Sequence, residues 1–226
     1  MTRIPTRSRP EGREAIVLAG GDPVDERLAA LLPADAVVIA ADSGLASAEP
    51  LGLDVDVIVG DLDSVDPDLL AEARDAGIPI DAHDPDKDRT DLAIALDTAV
   101  ERGATHIVVV GGHGGRLDHL IANTSLLASP AYRQVEIVAL MGRARVTVIH
   151  GELGEDRHRK LRGRPGDHVS LVAYHGSARG ITTTGLRFPL DDAELAAGSS
   201  LGVSNEFAVP EATVALQDGV LLAIQP

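Results

Sequence analysis

The chain contains, at residues 57–64, the stretch Val57-Ile58-Val59-Gly60-Asp61-Leu62-Asp63-Ser64. A short β-branched run ends at a glycine, and two aspartates follow at alternate positions. Alternate side chains of an extended segment point the same way, so Asp61 and Asp63 are expected to converge where a buried strand ends. A shared divalent cation would relieve their repulsion, and Mg²⁺ suits a site of few carboxylates completed by phosphates and water. An aspartate-rich turn without a ligand explains this stretch alone equally well.

Similar apolar runs recur around this stretch and alternate with segments of helical periodicity. Uninterrupted β-branched runs suit parallel strands buried on both faces. Strands are predicted at residues 14–19, 36–41, 55–59, 105–110 and 135–140, and helices at residues 24–32, 67–76, 90–102 and 117–127. We therefore predict an α/β fold with a doubly wound, mostly parallel sheet over residues 14–150, whose ligands gather at the carboxyl ends of the strands.

The pattern changes after about residue 150. Short alternating runs at residues 169–174, 213–216 and 220–224 are separated by Gly, Pro and Thr, as in antiparallel strands. Residues 151–226 are therefore predicted to form a smaller, sandwich-like all-β domain. The basic segment at residues 154–167 is predicted to be a linker or an exposed loop, and residues 1–13 a disordered basic tail.

Composition excludes several classes of protein. The 226 residues include 35 Asp+Glu against 20 Lys+Arg, a formal net charge of -15. This charge disfavours nucleic acid and anionic lipid, which bind through excess Lys and Arg. The absence of cysteine removes disulfides and thiolate chemistry. No apolar run approaches the roughly 20 residues needed to span a bilayer, so we expect a soluble protein with no membrane partner. The absence of cysteine fits a cytoplasmic setting.

Two further stretches carry candidate chemistry. Residues 84–91 read Asp84-Pro85-Asp86-Lys87-Asp88-Arg89-Thr90-Asp91 and precede a predicted helix, so Thr90 or Asp88 could simply cap that helix. Asp91 in its first turn would also direct a carboxylate at a metal, and Lys87 could neutralise phosphate charge. Residues 111–119 read Gly111-Gly112-His113-Gly114-Gly115-Arg116-Leu117-Asp118-His119. Glycines before a helix start favour a bound anion, although they lack the spacing of the common nucleotide motifs.

These motifs, together with Asp42-Ser43-Gly44 after an earlier strand, resemble the thiamine pyrophosphokinase family in order and spacing. The resemblance covers roughly residues 14–226. It continues at Gly185-Leu186-Arg187-Phe188-Pro189-Leu190 and Gly202-Val203-Ser204-Asn205-Glu206-Phe207, which look like the thiamine-binding segments of that family. The resemblance implies an enzyme that moves the terminal pyrophosphate of ATP onto the hydroxyl of thiamine. It also implies a homodimer whose active sites are shared between subunits.

The resemblance assigns roles by motif position. The implied Mg²⁺ ligands are Asp61, Asp63 and Asp91, and the implied catalytic residues are Asp63, Lys87, Arg116 and Asp118. The implied ATP contacts are Asp42, Ser43, Asp61, Ser64, Thr90, Gly112, Gly114 and Gly115. The implied thiamine contacts are Phe188, Ser204 and Asn205. Phe188 stands where many members carry tryptophan or tyrosine, so the ring that would stack on thiamine has a smaller area.

Three other functions fit parts of the same pattern. A pyrophosphokinase for another alcohol, such as hydroxymethylpterin, would keep the aspartates and the glycine-rich loop without needing Ser204 and Asn205. A nucleotide or thiamine sensor would bind without turnover, although it would not need several mutually repelling carboxylates. A metal-dependent phosphohydrolase would release phosphate from ATP with no acceptor present.

Overall fold

Five parallel strands organise the first of the two units into which the chain divides. The structure is a computed structural model that describes residues 14–84, 86, 88–151 and 158–226, and its first unit ends at Gly111. The strands are β1 (Glu14–Ala19), β2 (Val37–Ala41), β3 (Val57–Gly60), β4 (Ile80–Ala82) and β5 (His106–Gly111). They lie in the order β4-β3-β2-β1-β5. Their register aligns the carboxyl ends, because Ala19 lies opposite Gly111 and Ala41 opposite Val59.

The helices of this unit follow the predicted pattern with one change. Helix α1 spans Pro67–Asp75 and α2 spans Asp91–Glu101. The segment predicted as a helix at residues 24–32 forms only a 3-10 helix, Glu26–Leu31, which buries no residue. A second 3-10 helix spans Asp42–Ser47. Helix α2 buries six of its residues, so its apolar stripe, rather than propensity, accounts for its stability.

Antiparallel strands dominate the second unit, which begins at Gly112. Its helices are α3 (Leu117–Leu127) and a 3-10 helix at Pro130–Tyr132. Its strands are β6 (Glu136–Met141), β7 (Ala144–His150), β8 (His158–Arg162), β9 (His168–Thr184), β10 (Ala193–Leu195), β11 (Asn205–Glu206), β12 (Glu211–Ala215) and β13 (Asp218–Gln225). They pair in the order β6-β7-β13-β9-β12-β8, and β10 and β11 also pair with β9.

Strand β8 corrects the prediction of a linker or exposed loop at residues 154–167. His158–Arg162 pair antiparallel with β12 over five residues. Only Leu161 of this strand is buried, at 2% exposure, while its charged neighbours lie at the surface. A single apolar residue among four basic ones conceals the two-residue alternation on which strand recognition depends. Residues 154–157 lie outside the described residues, as does the predicted tail at residues 1–13.

The core of the second unit lies around the 17-residue strand β9. Val169, Leu171, Ala178 and Ile181 of this strand are buried in one cluster with residues of β7, β8, β12 and β13. The two units divide at residue 111, whereas the sequence analysis placed its domain boundary after residue 150. Among the described residues, no helix is long and apolar enough to cross a membrane.

Candidate active site

Three aspartates of the first unit bring their carboxylates together beyond the carboxyl ends of β2 and β3. One carboxylate oxygen from each of Asp42, Asp61 and Asp91 lies within 4.8 Å of the others. Asp42 follows β2 directly, Asp61 follows β3 directly, and Asp91 is the first residue of α2. Parallel strands that end at one level account for the convergence, as expected for ligand sites in open α/β sheets.

Asp42 is the most buried member of this cluster. Its residue is 8% exposed, and its Oδ1 atom is buried without a hydrogen-bond partner. Burial raises the pKa of the Asp42 carboxyl above its usual value. The Ser43 backbone N–H opposes this shift, and the neighbouring carboxylates of Asp91, Asp61 and Asp63 add to it. A buried oxygen among carboxylates lacks a positive partner, so these residues fit a divalent cation with oxygen ligands.

Gly60, the last residue of β3, lies against this cluster. Its φ of 136° is in the region that favours glycine. A Cβ atom at this position would lie 2.8 Å from Asp91 Oδ1 and 3.2 Å from Asp42 Cβ. The absence of a side chain at Gly60 therefore allows the two carboxylates to pack against the backbone of the strand.

Asp63, a predicted metal ligand, is not part of the group of three. Its backbone N–H donates to Asp61 Oδ1 at 3.2 Å, and its Oδ1 accepts from Ser64 Oγ at 2.8 Å. Leu62, between the two aspartates, has a φ of 67°. The turn is therefore not extended, and the alternation that predicted a paired Asp61 and Asp63 does not apply there. The structure groups Asp42 with Asp61 and Asp91. The family resemblance had assigned Asp42 to ATP binding only.

Two of the remaining predicted residues of the first unit, Thr90 and Ser43, have local structural roles. Thr90 is the N-cap of α2, and its Oγ1 accepts from the Ala93 backbone N–H at 3.3 Å. Ser43 Oγ lies so close to Gly20 that a Cβ there would be 2.3 Å away. Lys87, predicted to face phosphate, lies outside the described residues.

In the second unit, the glycine-rich loop leads into α3. Gly112, Gly114 and Gly115 all have positive φ values, between 57° and 86°. The Gly112 carbonyl accepts from Asn123 Nδ2 at 3.0 Å, so α3 holds the start of the loop. Asn123 was not predicted, because it lies inside a helical pattern and resembles an ordinary polar helix residue.

His113 occupies a tight position in the same loop. A Cβ at Gly142, in the turn between β6 and β7, would lie 2.8 Å from His113 Nε2. The Nδ1 atom of His113 is buried and has no hydrogen-bond partner. His113 therefore packs against the β6-β7 turn.

Arg116 and Asp118 pair with each other at the start of α3. Arg116 Nη2 donates to Asp118 Oδ2 at 2.6 Å, and Arg116 Nε donates to Oδ1 at 3.2 Å. This hydrogen bond holds the pKa of the Asp118 carboxyl below its usual value. Both side chains are more than half exposed, so an incoming anion can reach Arg116.

The predicted thiamine-binding residues also lie in the second unit, and they differ in exposure. Phe188 is 57% exposed and Ser204 is also exposed, with a φ of 61°. Asn205 is only 7% exposed. Phe188 and Ser204 can therefore reach a ligand from the surface, whereas Asn205 faces the interior.

Comparison with known protein families finds one match in each of two consecutive parts of the chain. Residues 28–139 match a family model described as the catalytic domain of thiamin pyrophosphokinase. Residues 156–221 match one described as the vitamin B1 binding domain of thiamin pyrophosphokinase. Together the two models cover most of the chain, in the order that the sequence analysis expected.

Individual relatives carry the same name. The thiamine pyrophosphokinase of Bacillus subtilis is 27% identical over 167 residues, which are 74% of this chain and 76% of the relative. Thiamine pyrophosphokinase 1 of Oryza sativa subsp. japonica is 29% identical over 156 residues, which are 66% of this chain and 58% of the relative.

Solved structures share the fold. The thiamine pyrophosphokinase of Bacillus subtilis superposes with a TM-score of 0.81 at 23% identity, over 94% of this chain and 98% of that one. The thiamin pyrophosphokinase of Geobacillus thermodenitrificans gives a TM-score of 0.79 at 26% identity, over 94% and 96%. With both family models matched in tandem and the fold shared along the chain, this protein belongs to the thiamine pyrophosphokinase family.

Proposed function

We propose that this protein transfers the terminal pyrophosphate of ATP to the hydroxyl of thiamine, giving thiamine diphosphate and AMP. The observation that carries the proposal is the cluster of Asp42, Asp61 and Asp91 in a chain that matches both family domains. The cluster supplies anionic ligands for a metal, and the second matched domain is the one described for vitamin B1 binding. The proposal includes the finer description of the fold as a doubly wound α/β domain followed by a sandwich-like β domain.

Mg²⁺ is the proposed cofactor, with Asp42, Asp61 and Asp91 as its protein ligands. When bound, Mg²⁺ would neutralise charge on the phosphates of ATP and on the leaving group. The cluster supports this proposal because the buried Oδ1 of Asp42 has no other partner. Asp63, on the same turn as Asp61, would add negative charge close to the metal without being one of the three grouped ligands.

The reaction places demands on charge and alignment. The thiamine hydroxyl oxygen would attack the β-phosphorus of ATP while the bond from that phosphorus to the α-phosphate oxygen breaks. AMP then leaves with the bridging oxygen, and the hydroxyl proton passes to a base. In the second unit, the amides of the glycine-rich loop at residues 112–115 and the Arg116 guanidinium would bind phosphate oxygens and stabilise the charge that develops.

Asp118 is one proposed acceptor for the hydroxyl proton. Its pKa is lowered by the hydrogen bond from Arg116, so it is ionised at neutral pH and able to accept a proton. A lowered pKa also makes it a weak base, and an approaching phosphate that draws Arg116 away would strengthen it. Asp63 is the second candidate, and kinetics of the two Asn variants would separate their contributions.

Thiamine is proposed to bind in the second unit. Phe188 offers an exposed ring for stacking on the heterocycle, and Ser204 offers an exposed hydroxyl. We also propose that Lys87 binds phosphate and that the protein is a cytoplasmic homodimer with shared active sites.

The test is formation of AMP from ATP and Mg²⁺, with and without thiamine, together with chromatographic detection of thiamine diphosphate. AMP and thiamine diphosphate are expected in equal amounts and only when thiamine is present. Asp42→Asn and Asp61→Asn should lower kcat by about 100-fold or more, because each removes a proposed metal ligand. Asp75→Asn, an exposed aspartate at the end of α1, is the matched control and should retain full activity.

Other outcomes of this assay would identify the other functions. Inorganic phosphate released without thiamine would indicate a phosphohydrolase. AMP formed only with hydroxymethylpterin would indicate another acceptor. ATP binding with no product from either acceptor would indicate a sensor and would overturn the proposal.

A further inference from the structure

The segment that carries Phe188 is held by a second segment of the β domain. Arg187 N–H donates to Glu206 O at 2.8 Å, and Leu186 forms an antiparallel bridge with Phe207. Strand β11, which contains Asn205 and Glu206, also pairs with β9. The exposed ring of Phe188 therefore projects from a backbone that is tied into the sheet through residues 205–207.

Asn205 forms the last part of this connection. Its Oδ1 accepts from the Phe188 N–H at 3.1 Å, and its Nδ2 donates to the Phe188 carbonyl at 2.7 Å. The same Oδ1 also accepts from the Glu206 N–H at 2.8 Å. Both functional groups of the amide are thus occupied by backbone, and the residue is 7% exposed. Few amide donors or acceptors remain for a ligand, and the side chain faces away from solvent.

The ring of Phe188 has its own support. The Arg187 guanidinium carbon lies 5.3 Å from the centroid of the ring, within the range of a cation–π contact. Arg187 Nη1 in turn donates to Glu206 Oε2 at 2.8 Å. Residues 205 and 206 therefore fix both the backbone of Phe188 and the cation beside its ring.

From this geometry we infer that Asn205 is a positioning residue, which acts on thiamine only through Phe188 and does not contact the substrate. The inference rests on the proposed function, and it changes the role that the resemblance implied for Asn205. An aromatic ring that stacks on a heterocycle contributes most when its backbone is fixed before binding, because less conformational entropy is lost. The planar primary amide satisfies one N–H and one C=O of the same residue, whereas an ionised Asp has no donor for that C=O.

A double-mutant cycle tests this inference. Asn205→Ala alone should raise the KM for thiamine by about tenfold, while kcat changes by less than about threefold and the KM for ATP stays constant. Phe188→Ala alone should raise the KM for thiamine by at least as much. In the Phe188→Ala background, Asn205→Ala should have almost no further effect, because the group through which it acts is gone. Multiplicative effects of the two substitutions would show that Asn205 contacts thiamine directly and would overturn the inference.

A measurement without any substrate separates this inference from the proposed function. Amide hydrogen exchange at Phe188 should become about tenfold faster in Asn205→Ala than in the unsubstituted protein. Unchanged exchange would refute the positioning role even if the enzyme is active. If exchange accelerates but the unsubstituted protein makes no thiamine diphosphate, the backbone contact stands, and the proposed function, with the role toward thiamine, is refuted.

Two further variants guard against a loss of folding. Asn205→Asp keeps an acceptor for the N–H groups of Phe188 and Glu206, but it replaces the donor to the Phe188 carbonyl by a carboxylate oxygen and adds a buried charge. It should therefore raise the KM for thiamine at least as much as Asn205→Ala. Gln225→Ala removes a different side-chain bond to backbone in the same unit, from Gln225 Nε2 to Arg162 O. It should leave the KM for thiamine unchanged. A loss of kcat at constant KM in Asn205→Asp would indicate a merely structural role and would overturn the inference.

Discussion

Replacing Gly60 by alanine should disable the carboxylate cluster without changing any charged residue. The new Cβ would lie 2.8 Å from Asp91 Oδ1, so Asp91 or the end of β3 must shift. The φ of 136° adds backbone strain of about 1–3 kcal/mol, and the forced contact adds about 1–3 kcal/mol. We expect a total loss of about 2–6 kcal/mol in the free energy of unfolding. With a denaturant slope of about 2 kcal/mol/M, the urea midpoint should fall by about 1–3 M.

Gly52→Ala is the matched control for this prediction. Gly52 also has a positive φ, 63°, but a Cβ there would have no atom within 4 Å. It should therefore lose only the strain of about 1–2 kcal/mol and keep the activity. Urea unfolding and the AMP assay, run on both variants, separate strain from displacement of the carboxylates. Equal midpoints for the two variants, or full activity in Gly60→Ala, would refute this account of the cluster.

Three further predictions concern single side chains. Thr90→Ala removes the cap of α2 and should cost about 1 kcal/mol in urea unfolding, with Thr90→Ser restoring most of it. Asp42→Asn relieves repulsion among the carboxylates, so without Mg²⁺ it should raise the thermal midpoint by about 2–4 °C. The increase in midpoint that Mg²⁺ gives the unsubstituted protein should disappear in this variant. A midpoint that falls without Mg²⁺ would contradict this prediction. Burial lowers the pKa of His150, and the positive charge of Arg159 lowers it further, so the unfolded state binds more protons. Stability should therefore fall as pH drops below about 6.5, and this loss should be smaller in His150→Gln. Equal pH profiles of stability for the two proteins would contradict the assignment.

Apolar runs predicted β1, β2 and β3 of the first unit because these strands are buried on both faces. β1 has five consecutive buried residues, so its pattern is visible in sequence without knowledge of its neighbours. Strand β4 was not predicted, because Ile80-Asp81-Ala82 has only three residues and none is buried. Strand β8 was missed because its strand character depends on pairing with β12 and on one buried leucine. Such strands are defined by tertiary contacts, which a local pattern does not contain.

The sequence pattern predicted carboxylates at this edge of the sheet but not how they are grouped. Asp61 and Asp91 were predicted as metal ligands, and both lie in the observed cluster. The grouping of Asp42 in place of Asp63 depends on two backbone features: the positive φ of Leu62 and the end of β2 beside β3. Neither feature follows from the spacing of aspartates alone. Mutual geometry of this kind becomes visible only when strands from distant parts of the sequence are placed side by side.

The position of β13 has a consequence for how the protein is made. This strand lies between β7 and β9, yet it is the last of the described strands to leave the ribosome. All five strands of the first unit precede residue 112, so their pairings are available early in translation. The core of the second unit stays open until residues 218–225 have emerged, because β7 and β9 lack the strand that pairs with both of them. Synthesis speed in the last third of the message should therefore influence the yield of folded protein more than speed in the first half.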